Sequence, residues 1–171
     1  MFLKQLLAIL SFIIIVTVIL IGGIILKDKN TAATEKSVDI YLYKNNQLLP
    51  VKRKIDSQEN KLQHALQHLI SGPVQKEKNR NFFSLIPAEL KIEEVLLDHG
   101  IVYIFFSDNV SAVSGGVALI QGFIKQFVYT CTQFDEIAAV IFTTHAAQNK
   151  PLIIGGEGYT IDAPLDRNSF N

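Results

Sequence analysis

Two histidines four residues apart are the first residues whose spacing could support chemistry. His64 and His68 share one face of a predicted helix, as the two histidines of an H-E-x-x-H zinc site do. The residue after His64 is Ala65, so the glutamate that serves as general base in such a site is missing, and no third ligand can be named. We therefore interpret the pair as part of a polar stripe and predict no metal site.

A serine and a cysteine are the candidate nucleophiles. Ser114 precedes two glycines and could help to present backbone N–H groups to an anion, but the lysine of a phosphate-binding loop and the third glycine of a dinucleotide fingerprint are missing. A helix cap explains Ser114 more simply. Cys131 is the single cysteine, and the apolar helical pattern around it indicates burial. We predict no catalytic residue, no cofactor and no enzymatic activity.

Two basic clusters are the candidates for binding, one on an extended segment and one in a polar stretch. They comprise Lys52, Arg53, Lys54, Lys76, Lys78 and Arg80. These side chains either face solvent or contact anionic lipid headgroups, a wall polymer or an acidic protein. We predict them as an interaction surface. From Ser37 onward, twelve basic residues against fourteen acidic ones argue against a nucleic-acid partner.

An uncharged run at residues 6–26 precedes the part of the chain that must position these residues. A helix of that length spans roughly 30 Å, the thickness of a bilayer core, and the run is longer than the apolar region of a secretory signal peptide. We predict a retained single-pass transmembrane anchor after a short tail, 1–5. Lys27 and Lys29 mildly favour the reverse orientation. The short tail nevertheless resembles that of a signal anchor, so we predict an extracytoplasmic domain at the cell membrane.

A polar tether at 27–37 leads into one domain of short strands and two helices. Alternating or continuous apolar residues predict strands at 38–43, 48–55, 91–98, 101–106, 138–144 and 152–154. The turn at Asp98-His99-Gly100 predicts that 91–98 and 101–106 form a hairpin, and the nearly all-apolar 101–106 is predicted to be central in the sheet. Helical spacing predicts one helix that is capped by Asp56-Ser57 and ended by Gly72-Pro73, and a second helix over 117–131. A polar loop is predicted at 75–81. These elements predict a two-layer α/β (α+β) sandwich, a mixed sheet with two helices packed on it.

Motifs along 38–167 resemble the GerMN domain family of sporulation and spore-germination proteins. They are VDIYLY, LLPVKRKI, LQHALQHLISGP, FFSLIP, EVLLDHGIVYIFFSDNV and QFVYTCTQFDEIAAVIF, in that order. Residues 144–149 depart from the family pattern, which often has Asp-Gly in this turn. A tail at 168–171 follows the domain.

The resemblance implies a fold like that of ring-building modules and a role in the bacterial cell envelope without catalysis. We expect a membrane-anchored protein that acts in protein–protein assembly, with a protein partner or further copies of itself, and with contact to the cell wall. The alternative function is an envelope module that binds a small ligand or glycan. It would use Lys52, Arg53 and Lys54, or the loop after Ser107.

Overall fold

A computed structural model describes residues 36–56, 59–113, 115–147, 150–155 and 158–170. The predicted anchor at 6–26 lies outside these residues. Within the described ranges, no helix is both long enough and apolar enough to cross a membrane. Residues from Ser37 onward form one unit with its own core.

A β-hairpin opens this unit, as the sequence predicts. Strand β1 (Ser37–Lys44) pairs antiparallel with strand β2 (Gln47–Lys54). Asn45 and Asn46 between them have left-handed backbone angles, φ 50° and 61°, which asparagine tolerates and a two-residue hairpin turn requires. Among the described strands, β2 pairs with β1 alone, which agrees with the edge position that its proline indicates.

The described part of the chain contains three α-helices, and their bounds correct three predictions. Helix α1 spans Lys61–Ser71, α2 spans Gln75–Lys78 and α3 spans Val117–Cys131. The stretch predicted as a polar loop at 75–81 therefore contains a helical turn. The N-cap of α1 is Asn60, not Asp56-Ser57, and that of α3 is Gly116, not Ser114. Gly72 ends α1 with φ 70°, as predicted.

The strands form three small sheets, so the prediction of one mixed sheet is wrong in that respect. Strands β3 (Ile92–Asp98), β4 (Ile101–Phe106) and β5 (Ala139–Thr143) form the mixed sheet, in which β4 is central, as predicted. It pairs antiparallel with β3 and parallel with β5. Strands β6 (Leu152–Ile154) and β7 (Tyr159–Ile161) form a further hairpin, of which only β6 is predicted. Short 3-10 helices occupy Asp108–Ala112 and Arg167–Phe170.

The core lies around helix α3, most of whose residues are buried. Phe106 of β4 packs edge-on against Phe127 of α3, with 5.3 Å between ring centroids, and stacks on Phe142 of β5 at 5.6 Å. Helix α1 and strand β1 add Leu66, Leu69, Ile40 and Leu42 to the same cluster. The result is a mixed α+β domain in which α3 joins the first hairpin to the three-stranded sheet.

Candidate interaction surface

The two predicted basic clusters lie next to each other on strand β2 and helix α2, but Arg53 does not belong to their exposed surface. Residues alternate across a strand, so Lys52 and Lys54 face solvent while the Arg53 side chain between them points inward. Its relative exposure is 9%. The prediction of Arg53 as an exposed interaction residue is therefore corrected.

Arg53 forms a buried ion pair with Glu77 of α2. Its Nη1 and Nη2 donate to the two carboxylate oxygens of Glu77, the second over 2.6 Å, and Nη2 also donates to the carbonyl oxygen of Gly72 at 3.2 Å. Burial alone would raise the pKa of Glu77. Hydrogen bonds from Arg53 and from the Val74 N–H, together with the Arg53 and Arg80 charges, outweigh that effect and lower the pKa. The pair thus fixes α2 against β2 and the end of α1.

Six exposed or half-exposed cations on β1, β2, α2 and the residues after α2 make up what we call the basic surface. They are Lys44, Lys52, Lys54, Lys76, Lys78 and Arg80. Lys52 Nζ lies 3.5 Å from Asp39 Oδ1, with 80% of the lysine side chain exposed. Lys44 and Arg80 both lie over the Phe82 ring, at 5.2 and 5.8 Å from its centroid. Sequence reasoning missed Lys44, because nothing local shows that the end of β1 lies beside residue 82.

A row of polar side chains on α3 satisfies the outer edge of β1. Gln126 Nε2 donates to the Tyr41 carbonyl, Thr130 Oγ1 accepts from the Tyr41 N–H, and the Gln133 amide bonds both backbone groups of Asp39. These helix and loop residues replace the neighbouring strand that would otherwise pair with β1. Sequence reasoning did not pair these residues with β1.

Gln126 also fixes the segment that contains the FFSLIP motif. Its Oε1 accepts the Leu85 N–H at 2.8 Å and the Ser84 hydroxyl at 3.3 Å, and the whole side chain is buried. Gly122 lies one turn earlier, and a Cβ there would clash with Leu85 Cδ1 unless the Leu85 side chain moved. The motif residues on α3 therefore hold two other segments of the domain in place.

Arg167, near the end of the described chain, is a further structural residue that sequence reasoning missed. Its guanidinium donates to the carbonyl oxygens of Tyr129 and Thr132 and to the Thr132 hydroxyl, and lies 4.9 Å from the Tyr129 ring centroid. A cation that bonds the last carbonyls of a helix is stabilising. The C-terminal segment is thereby attached to the end of α3.

Cys131 and the histidines that the structure describes are separate from one another or engaged with the backbone. Cys131 is fully buried, as predicted, and burial raises the pKa of its thiol; Ser114 lies outside the described residues. His68 Nε2 lies 3.2 Å from the carbonyl oxygen of Lys54. Of the His, Cys, Asp and Glu residues that the structure describes, no three are grouped closely enough to hold a metal ion.

The loop after Ser107 uses its polar groups within the protein. The Ser107 hydroxyl bonds to the Asn109 side chain, Asn109 Nδ2 donates to the Glu89 carbonyl, and Ser111 donates to the Asp108 carbonyl. These contacts stabilise the 3-10 turn and leave those hydrogen-bonding groups occupied. The geometry offers little support for this loop as a ligand site.

Two open grooves flank the three-stranded sheet. The larger, about 1170 Å³, lies between α1 and β3 and has an apolar floor that includes Leu62, Leu66, Ile70, Ile92, Val95 and Leu97. Its rim carries Glu93, Glu94 and Glu136, together with Lys61 and Lys91. The smaller, about 810 Å³, lies on the other face, where Tyr103, Phe105 and Ile141 meet the segment after β7. Neither groove contains a predicted site residue.

Comparison with known proteins identifies the domain. A family model described as "Sporulation and spore germination", named Germane, matches residues 36–145. The fold is similar to the first GerMN domain of the sporulation protein GerM from Bacillus subtilis (TM-score 0.61, 20% identity, 77% of this chain and 98% of that one). It is also similar to the tandem GerMN domains of the same protein (TM-score 0.58, 18% identity, 78% of this chain).

A third similar structure is described as a "putative lipoprotein" from Clostridium perfringens (TM-score 0.54, 20% identity, 81% of this chain and 94% of that one). The chain spans 45% of the tandem GerM structure. A search of curated protein sequences found no match. At these identities the structures show a common fold, while the family match covers well over half of the chain. The chain therefore belongs to the Germane family of sporulation and spore-germination domains, and its domain has the GerMN fold.

Proposed function

We propose that this chain is a non-enzymatic, membrane-anchored protein of the bacterial cell envelope that acts in protein–protein assembly. Its GerMN domain would lie outside the cytoplasmic membrane and join a sporulation-type, germination-type or other envelope-associated complex. The observation that carries the proposal is that the family motifs are used to build the domain. Arg53, Gln126, Thr130 and Gln133 are bonded to other parts of the same chain.

The surface chemistry supports binding rather than catalysis. The buried thiol of Cys131, with its raised pKa, is a poor nucleophile, and the described charged residues form surfaces instead of a cluster with an activated group. A basic surface and a large groove with an apolar floor are features by which proteins bind one another. We therefore assign the function to these surfaces.

The membrane anchor rests on residues 6–26, which contain no charged side chain. The Clostridium perfringens relative that is described as a "putative lipoprotein" supports membrane association of this fold in another organism. Attachment to a membrane confines the domain to two dimensions and raises its effective concentration toward partners in the same membrane. Weak contacts would then be sufficient for assembly.

Crosslinking of the full-length protein in its native cells tests the proposal. Cells that produce the chain with a C-terminal affinity tag are treated with an amine-reactive crosslinker, membranes are solubilised under denaturing conditions, and tagged species are identified by mass spectrometry. We expect crosslinked species that contain further copies of the chain or a defined envelope protein. Recovery of the monomer alone, at native expression level and with an efficient crosslinker, would contradict assembly as the function.

A further inference from the structure

Formal charge is divided unequally between the two halves of the domain. Residues 36–91 carry ten Lys and Arg against five Asp and Glu, a net charge of +5. Residues 92–171 carry three against nine, a net charge of −6. The near-neutral total therefore hides two regions of opposite sign, and such regions attract one another between molecules.

The positive region is concentrated on the basic surface. The Arg53–Glu77 ion pair fixes α2 beside β2 and so sets where Lys76 and Lys78 lie, while Lys52 and Lys54 point to the other face of β2. The lysines on α2 flank the inward-pointing Glu77 and are exposed. Because a buried contact sets their positions, these lysines form a defined surface.

The negative region includes the rim of the groove between α1 and β3, which we call the acidic groove. Glu93, Glu94 and Glu136 outnumber Lys61 and Lys91 around it by one, and His145 Nε2 lies 3.8 and 3.7 Å from the carboxylates of Glu93 and Glu94. Among the described strands β3 pairs only with β4, so its other edge, on the groove side of the sheet, has no strand partner there. Leu97 in the groove is 50% exposed. An acidic rim around exposed apolar side chains is suited to a partner that brings cations.

The acidic groove and strand β2, which carries Lys52 and Lys54, lie on opposite sides of α1. Leu66 and Ile70 line the groove. His68 lies between them in sequence and contacts the carbonyl of Lys54 on β2. Two residues correspond to about 200° around an α-helix, so the side chain that touches β2 points away from the groove. The two surfaces therefore do not overlap, and one molecule can use both at once.

We propose that copies of this chain associate head to tail, with the basic surface of one copy bound to the acidic groove of the next. This inference rests on the proposed function in assembly and names the surfaces and the partner. Contacts between two different surfaces leave one of each free at the ends, so they build oligomers larger than dimers. The observation that supports a second copy as the occupant is the opposite charge of two non-overlapping surfaces on one domain.

A zero-length crosslinker tests the contact directly. Full-length protein labelled with nitrogen-15 is mixed with unlabelled protein, reconstituted into liposomes and treated with a carbodiimide, which joins a lysine amine to a carboxylate that touches it. We expect mixed-isotope crosslinks from Lys76 or Lys78 to Glu93, Glu94 or Glu136. Their yield is expected to fall at 1 M salt, where charges are screened beyond about 3 Å.

Charge reversal tests whether the two surfaces bind each other. We expect Lys76→Glu/Lys78→Glu and Glu93→Lys/Glu94→Lys each to lower the yield of mixed-isotope crosslinks by about tenfold, because like charges then face each other. The first variant has also lost the amines that react, so the mixture of the two variants is the decisive measurement. The two variants mixed together are expected to crosslink again, in alternation. Recovery in the mixture also shows that each variant is folded. Lys125→Glu, a reversal on α3 outside both surfaces, is the matched control and is expected to leave the yield unchanged.

Three results would overturn the head-to-tail contact. These are mixed-isotope crosslinks confined to other residues, loss of association in only one of the two double variants, and no recovery on mixing two variants that both unfold cooperatively. The proposed function fails separately, because it requires partners in native cells. If crosslinking there recovers a different envelope protein while copies of this chain remain unlinked, the inference is wrong and the assembly function stands.

Discussion

At the scale of single residues, the Arg53–Glu77 ion pair makes the sharpest prediction about stability. Arg53→Met removes the cation but leaves a buried carboxylate whose two oxygens have lost that partner. Breaking one side of a buried pair costs about 3–5 kcal/mol. We expect a loss of that size in the free energy of unfolding, measured with urea.

Lys52→Met is the matched control for Arg53→Met, because it removes the neighbouring cation from the same strand. Lys52 is exposed and pairs with Asp39 at 3.5 Å, and exposed pairs contribute at most about 1 kcal/mol. We expect a change within that range. Equal losses of unfolding free energy for the two substitutions would mean that the buried pair contributes no more to stability than the exposed one.

The lowered pKa of Glu77 predicts a pH-dependent contribution to stability. A carboxyl group whose pKa is lower in the folded state stabilises the protein above its unfolded pKa, near 4.5, and this contribution is lost as the pH falls through the folded value. The difference in unfolding free energy between the native protein and Glu77→Gln is therefore expected to be large at pH 7 and to shrink below pH 4.5. A difference that stays constant down to pH 3 would contradict the assignment.

At the scale of elements, the contact between α3 and β1 depends on Gln126. Gln126→Met keeps the length of the side chain but leaves the Tyr41 carbonyl and the Leu85 N–H without this partner. A buried polar group left unpaired costs about 1–3 kcal/mol. We expect a total loss of at least that size in urea unfolding. Gln121→Met, at an exposed position of the same helix, is expected to change stability by less than about 0.5 kcal/mol.

The sequence predicts elements best where the signal is local. The turn at Asp98-His99-Gly100 and the long apolar period of α3 predict a hairpin and a helix that the structure confirms. Helix α2 was missed because its four residues are too few for an apolar period, and it is held by Glu77 instead. Strand β7 was also missed.

The contacts of the candidate site join residues that are far apart in the sequence, and the sequence predicts only some of them. Strand alternation indicates that one of three consecutive basic residues faces inward, but nothing local identifies Glu77, 24 positions away, as its partner. The hydrogen bonds at the edge of β1 are easier to anticipate from the sequence. Gln126, Thr130 and Gln133 recur at i, i+4 and i+7 beside an apolar helix, and polar residues on a buried face predict specific hydrogen bonds.

At the scale of the whole molecule, the domain extends past the family match at residue 145. Strands β6 and β7 contribute the buried Leu152, Ile154 and Ile161 to the core, and Arg167 is bonded to the end of α3. We expect a chain that stops after residue 149 to lose cooperative unfolding in urea. Removal of Asn171 alone is expected to have no effect. A stable shortened chain would limit the domain to the matched residues.

The proposed orientation across the membrane predicts which cysteines an impermeant maleimide can reach in intact cells. The native Cys131 is buried and its thiol has a raised pKa, so it should react only after denaturation and serves as an internal control. Lys76→Cys, on exposed α2, is expected to react in intact cells if the domain lies outside. Phe2→Cys, before the predicted anchor, is expected to react only after permeabilisation. The reverse pattern would place the domain in the cytoplasm and remove the basis for its assembly in the envelope.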